Sequence, residues 1–250
     1  MHILRAAVLL AVIPASIVLA SPLRPTFINF PDESSKAKVK DVLPIARDII
    51  QGAWCYLQFH GQDPNPSQLQ SYTNIFGKYD KTDYKTVYNH FRAKATDFDV
   101  EGTNTKKNSL SYYALDEAEA KDVKTGKART AFVHANQPGY LVNLGPKFMK
   151  KDLASRAHAI VHETMHFSYS VPGESTKRHG ANGIPEHETE FYGKTAVKAL
   201  ARKDPHYAID NADSLATFAV SVHGMRCSNA SKQQSRITSE IISILKSLIP

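Results

Sequence analysis

His162-Glu163-Thr164-Met165-His166 carries the strongest chemical signal in the chain. The pattern H-E-x-x-H sets two imidazoles four residues apart, and on an α-helix residues four apart lie on one face. Both rings can then reach one metal ion. Glu163, one step on, comes within reach of a water on that ion. This is the equipment for metal-assisted hydrolysis, in which an ion acidifies water and a carboxylate takes its proton. The flanks suit a helix: Leu153, Ala157, Ile160, Val161 and Met165 recur at helical spacing, and no Pro or Gly interrupts residues 150–171. A chance match has to be weighed, since the chain has eleven histidines. Chance matches usually fall in loops or straddle a proline, whereas this one lies in a mostly apolar helical run. His158 shares the face of His162 one turn earlier. It reads as a group behind the metal or, more simply, as a surface or packed histidine.

Two histidines do not complete a catalytic zinc site, which takes three protein ligands and keeps a fourth position open. The downstream candidates are Glu174, His179, Glu186, His187, Glu188 and Glu190. The segment from Glu186 is expected to begin a helix running to Lys203. A glutamate there, about twenty residues after His166, suits a ligand delivered from a second helix. Glu188 and Tyr192 would share a face of that helix, so that Glu188 binds the metal while the Tyr192 hydroxyl points at a developing oxyanion. The plainer account of Glu186, Glu188 and Glu190 is acidic charge complementing a helix N-terminus.

The elements that must hold these residues can be read in outline. Residues 36–60 carry an apolar stripe through Val39, Val42, Ile45, Ile49, Ala53 and Leu57, with Pro44 as a kink or the true helix start. A second helix is expected over Asp83–Thr96, with Val87, Phe91 and Ala95 inward. Residues 98–100 and 110–115 are candidate strands, and 116–129 is a loop or hairpin tip. Better strands are 130–134 and 140–144, separated by Asn136-Gln137-Pro138-Gly139. They lie just before the helix of His162, where an edge strand would pair with the backbone of a bound peptide. Asp210-Asn211-Ala212-Asp213 opens a further helix, with Asp213 as its N-cap. Residues 236–248 form a last amphipathic helix that packs on the domain.

The composition, 42% hydrophobic and 22% charged over 250 residues, is that of a globular chain. The first twenty residues read as a secretory signal peptide: His2 and Arg5, then the apolar runs 6–13 and 17–20, then Ser21-Pro22. No later stretch is apolar and long enough to cross a bilayer. Residues 21–35 are expected to be an extended lead or short propeptide, and 36–250 one domain. In an oxidising compartment Cys55 and Cys227 are expected to form one disulfide. Asn229 begins an N-glycosylation sequon. The net charge is +7, but the lysines are scattered, as solvated faces are, and do not form a nucleic-acid surface.

These residues together resemble the fungal secreted zinc endopeptidases of the deuterolysin and peptidyl-Lys metalloendopeptidase family, the aspzincins. The resemblance covers roughly Lys36 to Val222. It rests on Tyr72-Thr73-Asn74-Ile75-Phe76-Gly77, on Asn136-Gln137-Pro138, on the H-E-x-x-H run, on Tyr192-Gly193, and on Ala208-Ile209-Asp210-Asn211-Ala212-Asp213-Ser214 followed by Phe218-Ala219. It implies an α+β zincin-like metalloprotease fold in one domain, mostly helical with a small sheet beside the zinc helix. It also implies one zinc ion, protein or peptide substrates, and Tyr192 near the oxyanion. The chain departs from the family at Thr189, where the third ligand would be an aspartate. Glu188, or alternatively Glu190, would have to substitute. Asp213 resembles an acid that selects lysine after the scissile bond, but Ala216 stands where a second acid is expected. The family's members carry more cysteines, so the Cys55–Cys227 pairing is not inherited from the match. The reading is thus an extracellular, monomeric zinc endopeptidase with a weakened lysine preference. Thr189 keeps open a second reading, a catalytically silent secreted binding protein on the same scaffold.

Overall fold

A computed structural model describes residues 24–123, 125–134, 139–167, 193–225 and 227. Calls on residues 1–20, Asn136-Gln137-Pro138, Asn229 and the helix at 236–248 lie outside them. Among the described residues the protein is mixed, helical for the most part, with a four-stranded sheet and a separate two-stranded pair.

The helices follow their apolar stripes and caps. α1 (Glu33–Lys40) starts at Asp32, whose side chain accepts from the Ser35 amide. α2 (Leu43–His60) has Pro44 in its first turn, so the proline marks the start and does not kink a longer helix. α3 (Gln70–Phe76) is followed by α4 (Lys81–Asp97), capped by Asp80. The two-stranded pair β2 (Phe98–Asp99) and β3 (Asn108–Ser109) comes next.

The main sheet has the order β1-β4-β6-β5. β1 (Thr26–Ile28) pairs in parallel with β4 (Ser111–Ala114), and β4 in parallel with β6 (Leu141–Leu144). β5 (Ala131–Phe132) runs antiparallel to β6 at the edge, and this reversal lets β6 run alongside β4. Part of the expected lead, Thr26–Ile28, is therefore a strand of the sheet. Cutting it away as far as Ser35 would strip β4 of one of its two neighbours and leave it an open edge among the described strands. The expected hairpin tip is present: Lys121 bridges Ala128, and the Arg129 guanidinium clasps the Asp122 carboxylate.

After α5 (Pro146–Lys150) come α6 (Leu153–Met165), α7 (Lys194–Lys203), α8 (Pro205–Ile209) and α9 (Ala212–Ser221). α2, α4, α6 and α9 pack together, and the edge strand β5 lies against α6. Phe218 of α9 sits among the rings of Tyr56, Phe76 and Phe91, with centroids 5.6, 5.3 and 5.6 Å away. Such contacts add about 0.5–1.5 kcal/mol each beyond burial, and they hold α9 against α2, α3 and α4.

Gly77 closes α3 at φ +85°, and a Cβ there would stand 2.5 Å from the Ala201 carbonyl oxygen of α7. Gly77→Ala combines a strained backbone with an unrelieved clash, and is expected to cost roughly 2–5 kcal/mol. A urea midpoint unchanged from the parent protein would refute this.

Cys55, fully buried on α2, is bonded to Cys227 across 172 residues, with Cα atoms 4.8 Å apart. Closing so long a loop stabilises by up to about 5 kcal/mol in the chain-entropy account. Cys55→Ala with Cys227→Ala is expected to lower the thermal midpoint by more than ten degrees, about 2–4 °C per kcal/mol for a domain of this size. A midpoint within a few degrees would show that packing alone holds this end of the chain.

Candidate metal centre

α6 begins where Asp152 accepts from the Ser155 amide at 2.8 Å. Its face of Ala157, Ile160, Val161 and Met165 is completely buried. That burial fixes the rotation of the helix and so decides where the interleaved polar residues point. His162, Glu163 and His166 are each buried as well. The Nε2 atoms of His162 and His166 face each other at 3.2 Å.

This separation fits a shared ion. Two imidazole nitrogens bound to zinc at about 2.0–2.1 Å with a tetrahedral angle between them stand roughly 3.3 Å apart. Neutral imidazole nitrogens are zinc donors, and burial keeps competing water away. Among the described residues no group of three His, Cys, Asp or Glu side chains could hold a metal ion. Glu188, Glu190, Thr189 and Tyr192 lie outside those residues.

Behind His162 stands Asp213, only 4% exposed. Its Oδ1 is 3.2 Å from His162 Nδ1, and its Oδ2 accepts from the Gly193 amide at 2.6 Å. Burial pushes the Asp213 carboxyl up, but the hydrogen bonds from His162 and Gly193 outweigh it, and the group sits below the ordinary carboxylate value. A carboxylate here fixes which His162 nitrogen carries the proton and makes Nε2 the nitrogen that would face a metal. His158 Nε2 is 3.9 Å from the same Oδ1. Burial pushes the His158 imidazole down, with Asp213 opposing.

Two local expectations are corrected. The N-cap of α9 is Asn211, whose Oδ1 accepts from the Ser214 amide at 2.8 Å. Asp213 therefore lies inside the first turn, with its carboxylate free to turn toward His162. The expected helix from Glu186 to Lys203 is not continuous. α7 starts at Lys194, after Gly193 at φ +85°, which is outside helical geometry. Glu188 and Tyr192, expected on one helical face, both precede that break and lie outside the described residues. His90 and Lys94 were missed by sequence reasoning. Both are 1% exposed on α4 and reach the far end of α6.

The family described as lysine-specific metallo-endopeptidase, the aspzincins, matches residues 62–220. The chain belongs to this family. It is 30% identical over 177 residues to a peptidyl-Lys metalloendopeptidase of Pleurotus ostreatus, covering 70% of this chain and 84% of the relative. It is 27% identical over 208 residues to a peptidyl-Lys metalloendopeptidase of Grifola frondosa, covering 82% of this chain but only 50% of that relative. The solved zinc peptidase from Grifola frondosa superposes with a TM-score of 0.54 at 25% identity, covering 75% of this chain and 95% of the other. This aspzincin is a zinc metalloendopeptidase acting on protein or peptide substrates. Membership favours the enzyme over the silent binding protein.

Proposed function

We propose that this aspzincin is an exported, monomeric, single-zinc endopeptidase of zincin-like fold, cutting proteins outside the cell after loss of residues 1–20. The observation that carries the reading is the pair of buried imidazole nitrogens 3.2 Å apart, with buried Glu163 between them in sequence. In this reading His162 and His166 hold the ion, and Glu188, with Glu190 as the alternative, completes the set in place of the family aspartate. Bound there, zinc supplies Lewis acidity, polarising the scissile carbonyl and lowering the pKa of water toward neutrality. Glu163 takes the proton from the attacking water and returns it to the leaving amine. Tyr192 donates its hydroxyl to the carbonyl oxygen as negative charge develops there. The edge of β5, the last strand of the sheet among the described residues, is where an extended peptide would pair. Asn229 carries a glycan if the chain passes through the secretory pathway.

Lysine after the scissile bond is the finer part of the proposal. The family description and Asp213 at the matching position support it. Opposing it, residue 216 is a fully buried alanine, and both Asp213 oxygens are already engaged. Lys151 and Lys194 also rim a cavity of about 380 Å³ beside His158 and Gly193. A reduced lysine preference is the expected outcome.

Mass-spectrometric mapping of the cuts made in a denatured protein mixture tests both parts. Chelation is expected to abolish cleavage and added zinc to restore it. Cleavage that survives chelation would sink the zinc reading. Flanking residues without lysine enrichment would remove the specificity.

A further inference from the structure

α4 presents His90 and Lys94 on one face, four residues apart. His90 Nε2 lies 3.1 Å from the sulfur of Met165, and Lys94 Nζ donates to the carbonyl of Phe167. These two contacts bracket His166. α6 ends at Met165, and beyond it the amides of His166 and Phe167 reach back to Glu163 and Thr164, at 3.2 and 3.4 Å. The last carbonyls of a helix have no partners within it, and a cation placed there meets both the open acceptor and the negative end of the dipole. Lys94 also lies over the Phe98 ring, 4.3 Å from its centroid. The Phe167 ring stacks on Phe98 at 6.0 Å and meets Tyr140 edge-on at 5.4 Å. The residue after His166 is thus held by its carbonyl and by two aromatic contacts to its ring.

An ammonium group so deeply buried is costly, and apolar side chains of the same length would fill the space at less expense. Its placement therefore points to a task other than global stability. We propose that His90 and Lys94 form a clasp that fixes the last turn of α6, with Lys94 a positioning residue for His166 as a metal ligand. This rests on the reading of His162 and His166 as the zinc pair. Ligand placement matters at the level of about 0.5 Å, which is the scale on which an unpinned helix end moves.

The test is zinc affinity, measured by competition with a chromophoric chelator on wild-type protein, Lys94→Met and His166→Ala. Thermal unfolding of each metal-free protein and the visible spectrum of each cobalt-loaded protein are recorded alongside. Lys94→Met is expected to bind zinc at least ~10-fold more weakly and to shift the cobalt bands. Its metal-free unfolding midpoint should stay unchanged or rise. A purely structural lysine would give the reverse pattern, a lower metal-free midpoint with zinc affinity within twofold of wild type, and that pattern overturns the clasp. If Lys94→Met does not fold, His90→Leu tests the other contact by the same criteria. Wild-type protein that takes up no zinc, or His166→Ala that binds as well as wild type, would overturn the metal reading and the clasp with it. Equal binding by wild type and Lys94→Met, with His166→Ala defective, overturns the clasp alone.

Discussion

Glu163→Ala is expected to lower kcat by ~10²–10⁴-fold while the protein stays folded and keeps its zinc. Glu163 is 4% exposed and lies between the two histidines whose ring nitrogens face each other, and in the proposed site it is the base and not a ligand. In the proposed mechanism, removing the carboxylate takes away the proton acceptor, whereas the substrate binding and carbonyl polarisation proposed above would remain. The loss should therefore fall on kcat with KM little changed, the signature of an interaction made in the transition state. Glu163→Gln keeps the shape and should lose a comparable amount, since an amide cannot accept the proton. Metal content by mass spectrometry separates this from loss of the site. If Glu163→Gln retained a tenth or more of wild-type turnover with full zinc, another group would have to be the base.

Much of the machinery was readable because it is local. The H-E-x-x-H run sits in a helix whose apolar stripe is visible residue by residue, and α6 runs from Leu153 to Met165. Pro44, Gly139 and the 116–129 turn also carried their own punctuation. Non-local features were harder. Asp213 and Asn211 both qualify as caps by residue type. Which one turns away depends on His162, a partner 51 residues earlier that no local pattern reveals. β1 was read as a lead because three residues of strand flanked by prolines give no period to detect, and only pairing with β4 makes them a strand. His90 and Lys94 fall beside the apolar stripe of α4, where hydropathy assigns polar side chains to solvent. They are buried because Phe98, Tyr140 and the end of α6 close over that side of the helix.

Asp213→Asn separates two roles that sequence alone could not. A carboxylate reserved for a substrate lysine should have at least one open oxygen, yet Oδ1 lies at His162 and Oδ2 holds the Gly193 amide. The change keeps side-chain size but removes the charge that orients His162. It also places an amide donor against either His162 Nδ1–H or Gly193 N–H, because asparagine has only one accepting atom where aspartate has two. Zinc affinity is expected to fall by ~10–100-fold, in line with other carboxylates that support a metal-bound histidine. The effect should also reach past the metal, since Gly193 directly follows Tyr192, and loosening its amide frees the segment that would bring the tyrosine to the carbonyl oxygen. At saturating zinc, turnover should thus stay below wild type, which loss of metal alone would not explain. A variant with wild-type zinc affinity but a changed residue preference after the cut would return Asp213 to the substrate pocket and leave His162 to be oriented by something else.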